Sequence, residues 1–150
     1  MWRELINEIL VQTTDSAGIR YASGAREEQL LALETGLGVA LPEDLALLLR
    51  ESNGVLDEYG LHIIWSTEEI ERYNHEMRFS RVYTEIYMSF VDMLFFADAG
   101  NGDRFAFPIL QGNVKATSVS AWDHEDDSRR VVAFSLRSYL ERWLSGKLEL

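Results

Sequence analysis

The spacing of apolar residues changes along this chain, from helical intervals to short β-type runs and back, and that order limits the folds open to it. Trp2, Leu5, Ile6, Ile9 and Leu10 fall at i, i+3, i+4, i+7 and i+8, the one-sided stripe of an amphipathic helix. Gln12 to Gly24 is dense in Thr, Ser, Asp and Gly and reads as a loop. A second helix is expected from about Ala25 to Thr35, stopped by Gly36 or Gly38. Leu41-Pro42 opens a third, because a missing N–H costs nothing at the first helical position. Leu45, Leu48 and Leu49 form its buried stripe, and Asn53-Gly54 ends it. Leu61 to Trp65 is a short strand-like run, followed by the capping box Ser66-Thr67-Glu68-Glu69. The helix that box starts is expected to bury Ile70, Tyr73 and Met77.

Beyond it the pattern turns to β. Phe79 to Val91 is rich in aromatics without a clean period, and a loop or irregular insertion is expected there. Met93 to Ala97 and Arg104 to Pro108 read as strands joined by Asp98-Ala99-Gly100-Asn101-Gly102-Asp103, a hairpin loop of turn formers. A third strand is expected within Val114 to Asp123 and a fourth over Val131 to Phe134. Ser135 then caps a last helix, in which Leu136, Tyr139, Leu140, Trp143 and Leu144 repeat the helical spacing before Gly146 closes it. No repeat or linker interrupts the 150 residues, the size of one domain. The expected fold over 1–150 is a single α+β domain: a mixed, mostly antiparallel sheet with helices packed against it.

Several chemistries are excluded by what is missing. With no cysteine there is no disulfide, thiol nucleophile or Cys-ligated zinc. Walker, GxGxxG and HExxH motifs and a nucleophile elbow are absent. Asp98-x-Gly-x-Gly-Asp103 lacks the further oxygen ligands of a calcium loop and reads as a turn. Asp123 and Glu125, on one side of a continuing strand around His124, form an acid–base candidate; a strand end followed by a solvated acidic turn is the preferred reading. No catalytic residue, metal or cofactor is assigned, and the chain is expected not to be an enzyme. The amino terminus lacks a signal-peptide pattern and no run approaches a membrane span, so a soluble cytoplasmic protein is expected. Twenty-five acids against 14 bases give a formal charge of −11. That argues against nucleic-acid phosphates as a ligand and permits long-range attraction to a basic partner.

The order of several short motifs carries a resemblance. Leu41-Pro42-Glu43-Asp44-Leu45, then Leu48-Leu49 and Ser52-Asn53-Gly54, resembles the "LP-x-x-hydrophobic … NG" signature of the SUKH superfamily. Trp65 with its capped helix, the Phe95-to-Phe107 hairpin with Gly100-Asn101-Gly102-Asp103, Trp122-Asp123-His124-Glu125, and Phe134-Ser135-Leu136 with Tyr139-Leu140 match its later landmarks in order. The likeness covers roughly residues 25 to 145; Phe79 to Val91 departs from it. That superfamily includes a fungal cell-wall-synthesis regulator and many bacterial toxin-immunity proteins. The resemblance implies a mixed sheet, a binding role, and no cofactor or reaction.

The expected partner is a cognate basic protein toxin, of nuclease type, with an endogenous regulatory partner as the alternative. Two acidic clusters would face it: Asp57-Glu58 with Glu68, Glu69, Glu71 and Glu76, and Asp123 to Asp127. Tyr59, Trp65 and Trp122 border these acids and are the expected anchors. Asp57, Glu58, Glu68, Glu69, Asp123, Glu125, Asp126 and Asp127 are the expected rim.

Overall fold

The structure, a computed structural model, describes residues 1–13, 18–110, 118–148 and 150. Helix α1 (Trp2–Val11) buries Trp2, Ile6 and Ile9, as its stripe requires. Its free amino end is satisfied from afar: the Glu51 carboxylate accepts the Trp2 and Arg3 backbone N–H groups at 2.9 and 3.1 Å. Burial works against that charge, but the backbone N–H bonds prevail and hold the Glu51 carboxyl below its ordinary value. Glu51 ends α3 (Glu43–Glu51), so one carboxylate joins two helices far apart in sequence. Between them lie β1 (Arg20–Tyr21) and α2 (Glu27–Leu37), which closes on Gly38 at φ +67°.

Strands β2 (Val55–Leu56) and β3 (His62–Ile64) complete a three-stranded antiparallel sheet in the order β1-β2-β3. Helix α4 (Thr67–Phe79) starts at the expected capping box: Ser66 Oγ accepts the Glu69 N–H, and Glu69 Oε1 accepts the Ser66 N–H at 3.0 Å. After α5 (Arg81–Thr84) come β4 (Met93–Asp98), β5 (Arg104–Pro108), β6 (Val119–Trp122) and β7 (Arg129–Ala133), a second antiparallel sheet in sequence order. Helix α6 (Leu136–Leu144), capped by Ser135, returns against β7 and α1. Its Tyr139 hydroxyl, fully buried, donates to the Ile63 carbonyl at 3.0 Å and ties the last helix to the first sheet.

Several expectations are adjusted here. The expected mixed sheet is two antiparallel sheets, joined where the Trp65 N–H donates to the Phe96 carbonyl at 2.8 Å. Strands β1 and β2 escaped the sequence reading because two residues are too few to display a period. Pro42 sits one position before α3, with φ −55° and ψ 138°, while its carbonyl still accepts the Ala46 N–H. Strand β7 begins earlier than expected, at Arg129, because edge pairing rather than β-propensity sets its start. Residues 114–117 of the expected third strand, and 14–17 of the expected first loop, lie outside the described residues. Of the expected irregular insertion, Phe79 ends α4 and Arg81–Thr84 form the short helix α5; the rest is turn and irregular chain.

Strand β4 is buried on both faces from Met93 to Ala97, yet among the described residues β5 is its only neighbour in the second sheet. Its other edge is met by side chains of α4 and by β3. Arg78 Nη2 donates to the Met93 carbonyl at 2.9 Å. The buried Asn74 amide donates from Nδ2 to the Phe95 carbonyl at 2.8 Å and accepts the Phe95 N–H at 2.9 Å. Trp65 takes the next carbonyl, that of Phe96. An open strand edge is an aggregation template, and an unpaired buried backbone group costs about 1–3 kcal/mol. Replacing Asn74 by Ala is therefore expected to cost about 1–3 kcal/mol for each orphaned Phe95 group, measured by urea unfolding. A loss below about 0.5 kcal/mol, the scale of an ordinary surface change, would show that the amide is not what closes the edge.

Candidate protein-binding face

Three turns stand side by side at the hairpin end of the sheets. The first, 57–60, is built by Asp57, whose Oδ1 accepts the Tyr59 and Leu61 N–H groups at 2.8 Å each. It leans on the β4–β5 hairpin so closely that a Cβ added at Gly100 would lie 3.1 Å from the Leu61 side chain. In that hairpin Asp98 accepts the Gly100 N–H at 3.0 Å, and Asp103 is buried. Asp103 reaches the third turn, 123–128: its Oδ1 lies 2.6 Å from His124 Nδ1 and 3.2 Å from the His124 backbone N. Gly102, at φ +102°, allows this approach, since a Cβ there would meet the imidazole at 2.9 Å. The Tyr87 hydroxyl then donates to the His124 carbonyl at 2.8 Å, fastening the segment before β4 to the same row.

The two tryptophans expected as anchors are core residues. Trp65 is 0% exposed and Trp122 is 2% exposed. Each buried indole N–H requires an acceptor, and the neighbouring acids supply it: Trp65 Nε1 donates to Asp98 Oδ2 at 3.1 Å and Trp122 Nε1 to Asp127 Oδ1 at 2.7 Å. The pairing of Trp with acids in the sequence thus reflects satisfied core donors. Tyr59, by contrast, is 86% exposed at the tip of its turn.

The acids divide the same way. Glu58, Glu68, Glu125 and Asp126 are exposed, whereas Asp57, Glu69, Asp123 and Asp127 are half-buried in local bonds. Glu69 completes its capping box and pairs with His62 Nδ1 at 2.9 Å. Asp123 Oδ1 accepts the Glu125 N–H at 2.8 Å. Asp127 sits at φ 62°, a backbone region that Asp tolerates better than most residues, and accepts from Trp122, Arg129 and the Met88 N–H. Burial opposes its charge, yet those donors hold its carboxyl below the ordinary value. The first acidic cluster does not hold together: Glu69 turns to β3, while the Glu71 carboxylate lies against Gly36 of α2, so close that a Cβ there would collide with it. The second cluster and the 57–60 turn share the row through the hairpin between them.

Asp103, Asp123 and His124 each bring a metal-ligating atom within 4.8 Å of the others. The Nδ1 of His124 is already engaged by Asp103, so an ion at that nitrogen would have to displace the bond that joins two turns. The hydrogen bond to Asp103 raises the His124 pKa above its ordinary value; desolvation opposes it, and the charges of Asp103, Glu125 and Asp123 add to it. The linkage follows in sign: a raised folded-state pKa stabilises the row below the unfolded value, near 6.5, and that contribution is lost as pH rises through the folded value. Amide exchange in turns 98–103 and 123–128 is therefore expected to quicken as pH rises past the histidine transition, beyond the intrinsic base-catalysed increase. The His124→Gln variant should lack that step; an identical step in the variant would assign the pH response to another group.

Among known families, the model of the SMI1 / KNR4 family (SUKH-1) matches residues 24–142, which takes in everything from the approach to α2 through most of α6. A search of curated proteins finds no match. No helix of the described residues is long and apolar enough to cross a membrane. The family match spans all three turns of the row, the Asn74 clamp and the segment before β4: this chain belongs to the SMI1/KNR4 (SUKH-1) family.

Proposed function

We propose that this chain is a cytoplasmic immunity protein that binds a cognate toxin, of nuclease type, and neutralises it by covering its active surface. Membership of the family supports a protein partner. The observation that carries the rest is the row of pre-formed acidic turns, with Glu58 and Tyr59 exposed on one and Glu125 and Asp126 on another. A nuclease must present a basic surface to hold phosphates, and a field of acids is its electrostatic complement. Because each turn is held by its own hydrogen bonds and packed or bonded to the hairpin, little ordering is required when the partner arrives. A standard interface of about 1,600 Å² would suffice for specific occlusion.

Affinity capture from the native cell, eluted by a salt gradient, tests the reading. One stoichiometric basic polypeptide, active alone and inactive when bound, is the expected result. A toxin that stays fully active in the complex would refute occlusion, and recovery of a housekeeping assembly would favour a regulatory scaffold instead.

Within the complex, charge should act on the rate of encounter. Steering raises association from about 10⁵–10⁶ to 10⁸–10⁹ M⁻¹s⁻¹ at low salt. Reversing Glu125 and Asp126 together to Lys is expected to slow association about tenfold or more and to flatten its dependence on ionic strength, measured by stopped flow. Unchanged kinetics would remove this turn from the interface.

A further inference from the structure

The chain between α4 and β4 has two faces of opposite character. Inward, Tyr87 and Phe90 meet the Trp122 ring edge-on at 4.9 and 5.2 Å, and Phe90 meets Phe95 at 5.4 Å. The guanidinium of Arg129 lies 4.5 Å from the Phe90 ring, and that of Arg104 lies within 5.9 Å of the Tyr83, Tyr73 and Trp65 rings. Outward, Phe79, Val82, Ile86, Met88 and Val91 are each between 63% and 70% exposed. Scattered apolar residues on a surface need no explanation, but a concentration of this size within one segment does.

This ridge is held, not loose. The Tyr87 N–H bonds the Tyr83 carbonyl at 2.9 Å, continuing the turn of α5 and placing Val82 and Ile86 one helical turn apart. The Met88 N–H donates to Asp127 Oδ2 at 2.9 Å, and Arg129 donates to the Met88 and Ser89 carbonyls at 2.8 Å each. The ridge is thereby joined to the acidic turn 123–128. Exposed Glu76, Glu85 and Asp92 stand along it, with Glu125 and Asp126 on the adjoining turn. Of these acids Glu85 pairs with Arg81 at 3.4 Å and Asp92 with Arg129 at 3.9 Å, while Arg78 donates to the Met93 carbonyl; Glu76, Glu125 and Asp126 supply the rest of the frame.

We propose that this ridge is the docking surface for an apolar patch, ringed by lysine and arginine, on a partner protein. The inference rests on the protein-binding reading above and adds where the contact is made. A second copy of the chain would set one acidic frame against another, and an anionic bilayer would meet the same repulsion. A basic partner with an apolar centre satisfies both features: the apolar side chains lose water on contact, and the acids meet opposite charge at the rim.

The probe is a synthetic amphipathic helix with leucine on one face and lysine on the other, beside a scrambled peptide of the same composition. Binding is followed by amide chemical shifts of the intact chain. The expected result is a footprint on residues 79–92 for the amphipathic peptide, with binding at least tenfold weaker in Val82→Asp and Ile86→Asp. Leu31→Asp, an exposed apolar position on α2, should bind as the parent does, and all three variants should keep its thermal midpoint. Equal binding of the scrambled peptide, or a footprint elsewhere, would overturn the proposal. So would self-association or binding to phosphatidylserine vesicles, if either were abolished by Ile86→Asp, since each names a different occupant. If a captured toxin bound Ile86→Asp at unchanged affinity, the ridge would fall while immunity stood. A ridge footprint together with a captured partner that is not a toxin would have the reverse meaning.

Discussion

The outer edge of β4 is closed by one asparagine, one arginine and one backbone N–H, and most of the molecule hangs on that closure. β4 is buried on both faces, so water is not available to the groups on its edge. Asn74 presents a donor and an acceptor to the same residue, Phe95, and so imitates a neighbouring strand with a side chain. It does so where the β4–β5 register shifts between Phe95 and Ala97. The irregular strand and the helix opposite it thereby fix one another. β4 in turn carries the hairpin whose Asp103 bonds the turn at His124 and whose Gly100 packs against Leu61 beside the turn 57–60.

Those turns explain how an acidic chain can hold so many acids in a small space. Asp57, Asp98, Asp103, Asp123 and Asp127 all accept from backbone, indole or imidazole N–H groups within the chain. Bonds to ionised acceptors are roughly twice as strong as neutral ones, so each acid contributes as a fastener before it contributes as a charge. What faces solvent is a smaller set, led by Glu58, Glu125 and Asp126. The net charge of −11 still sets the sign of the long-range field. The short-range contacts available to a partner are another matter, and they are set by the exposed set and by the apolar ridge beside it. In the complex proposed above, acids would govern how fast a partner arrives and apolar contact how long it stays.

The helices other than α5, the capping box at Ser66 and the long strands were legible in the sequence because each rests on a local pattern that water imposes: an apolar face to bury and end groups to satisfy. So was the family, since its motifs lie in order along the chain. Strands β1 and β2 were not legible, because two residues acquire strand geometry only from their partners. The site was legible in part. The turn at Asp57-Glu58-Tyr59 and the acids from Asp123 to Asp127 were found as neighbours in sequence, and their union into one row depends on Leu61 against Gly100 and His124 on Asp103, contacts between residues far apart in the chain.

The largest differences concern Trp65, Trp122 and the segment from Phe79 to Val91. Composition places an aromatic beside an acid but does not tell whether the ring points to core or solvent. Burial follows from the sheet's layers, and both indoles went inward with the acids as their acceptors. The reverse holds for the aperiodic segment. Its lack of period arises because Tyr83, Tyr87 and Phe90 face the core while the apolar residues between them face water, and only the packed fold separates the two sets. The sequence by itself determined the longer elements, the charge and the family. Which apolar and acidic groups remain outside was decided by tertiary structure, because exposure is a property of what packs opposite a residue and not of the residue.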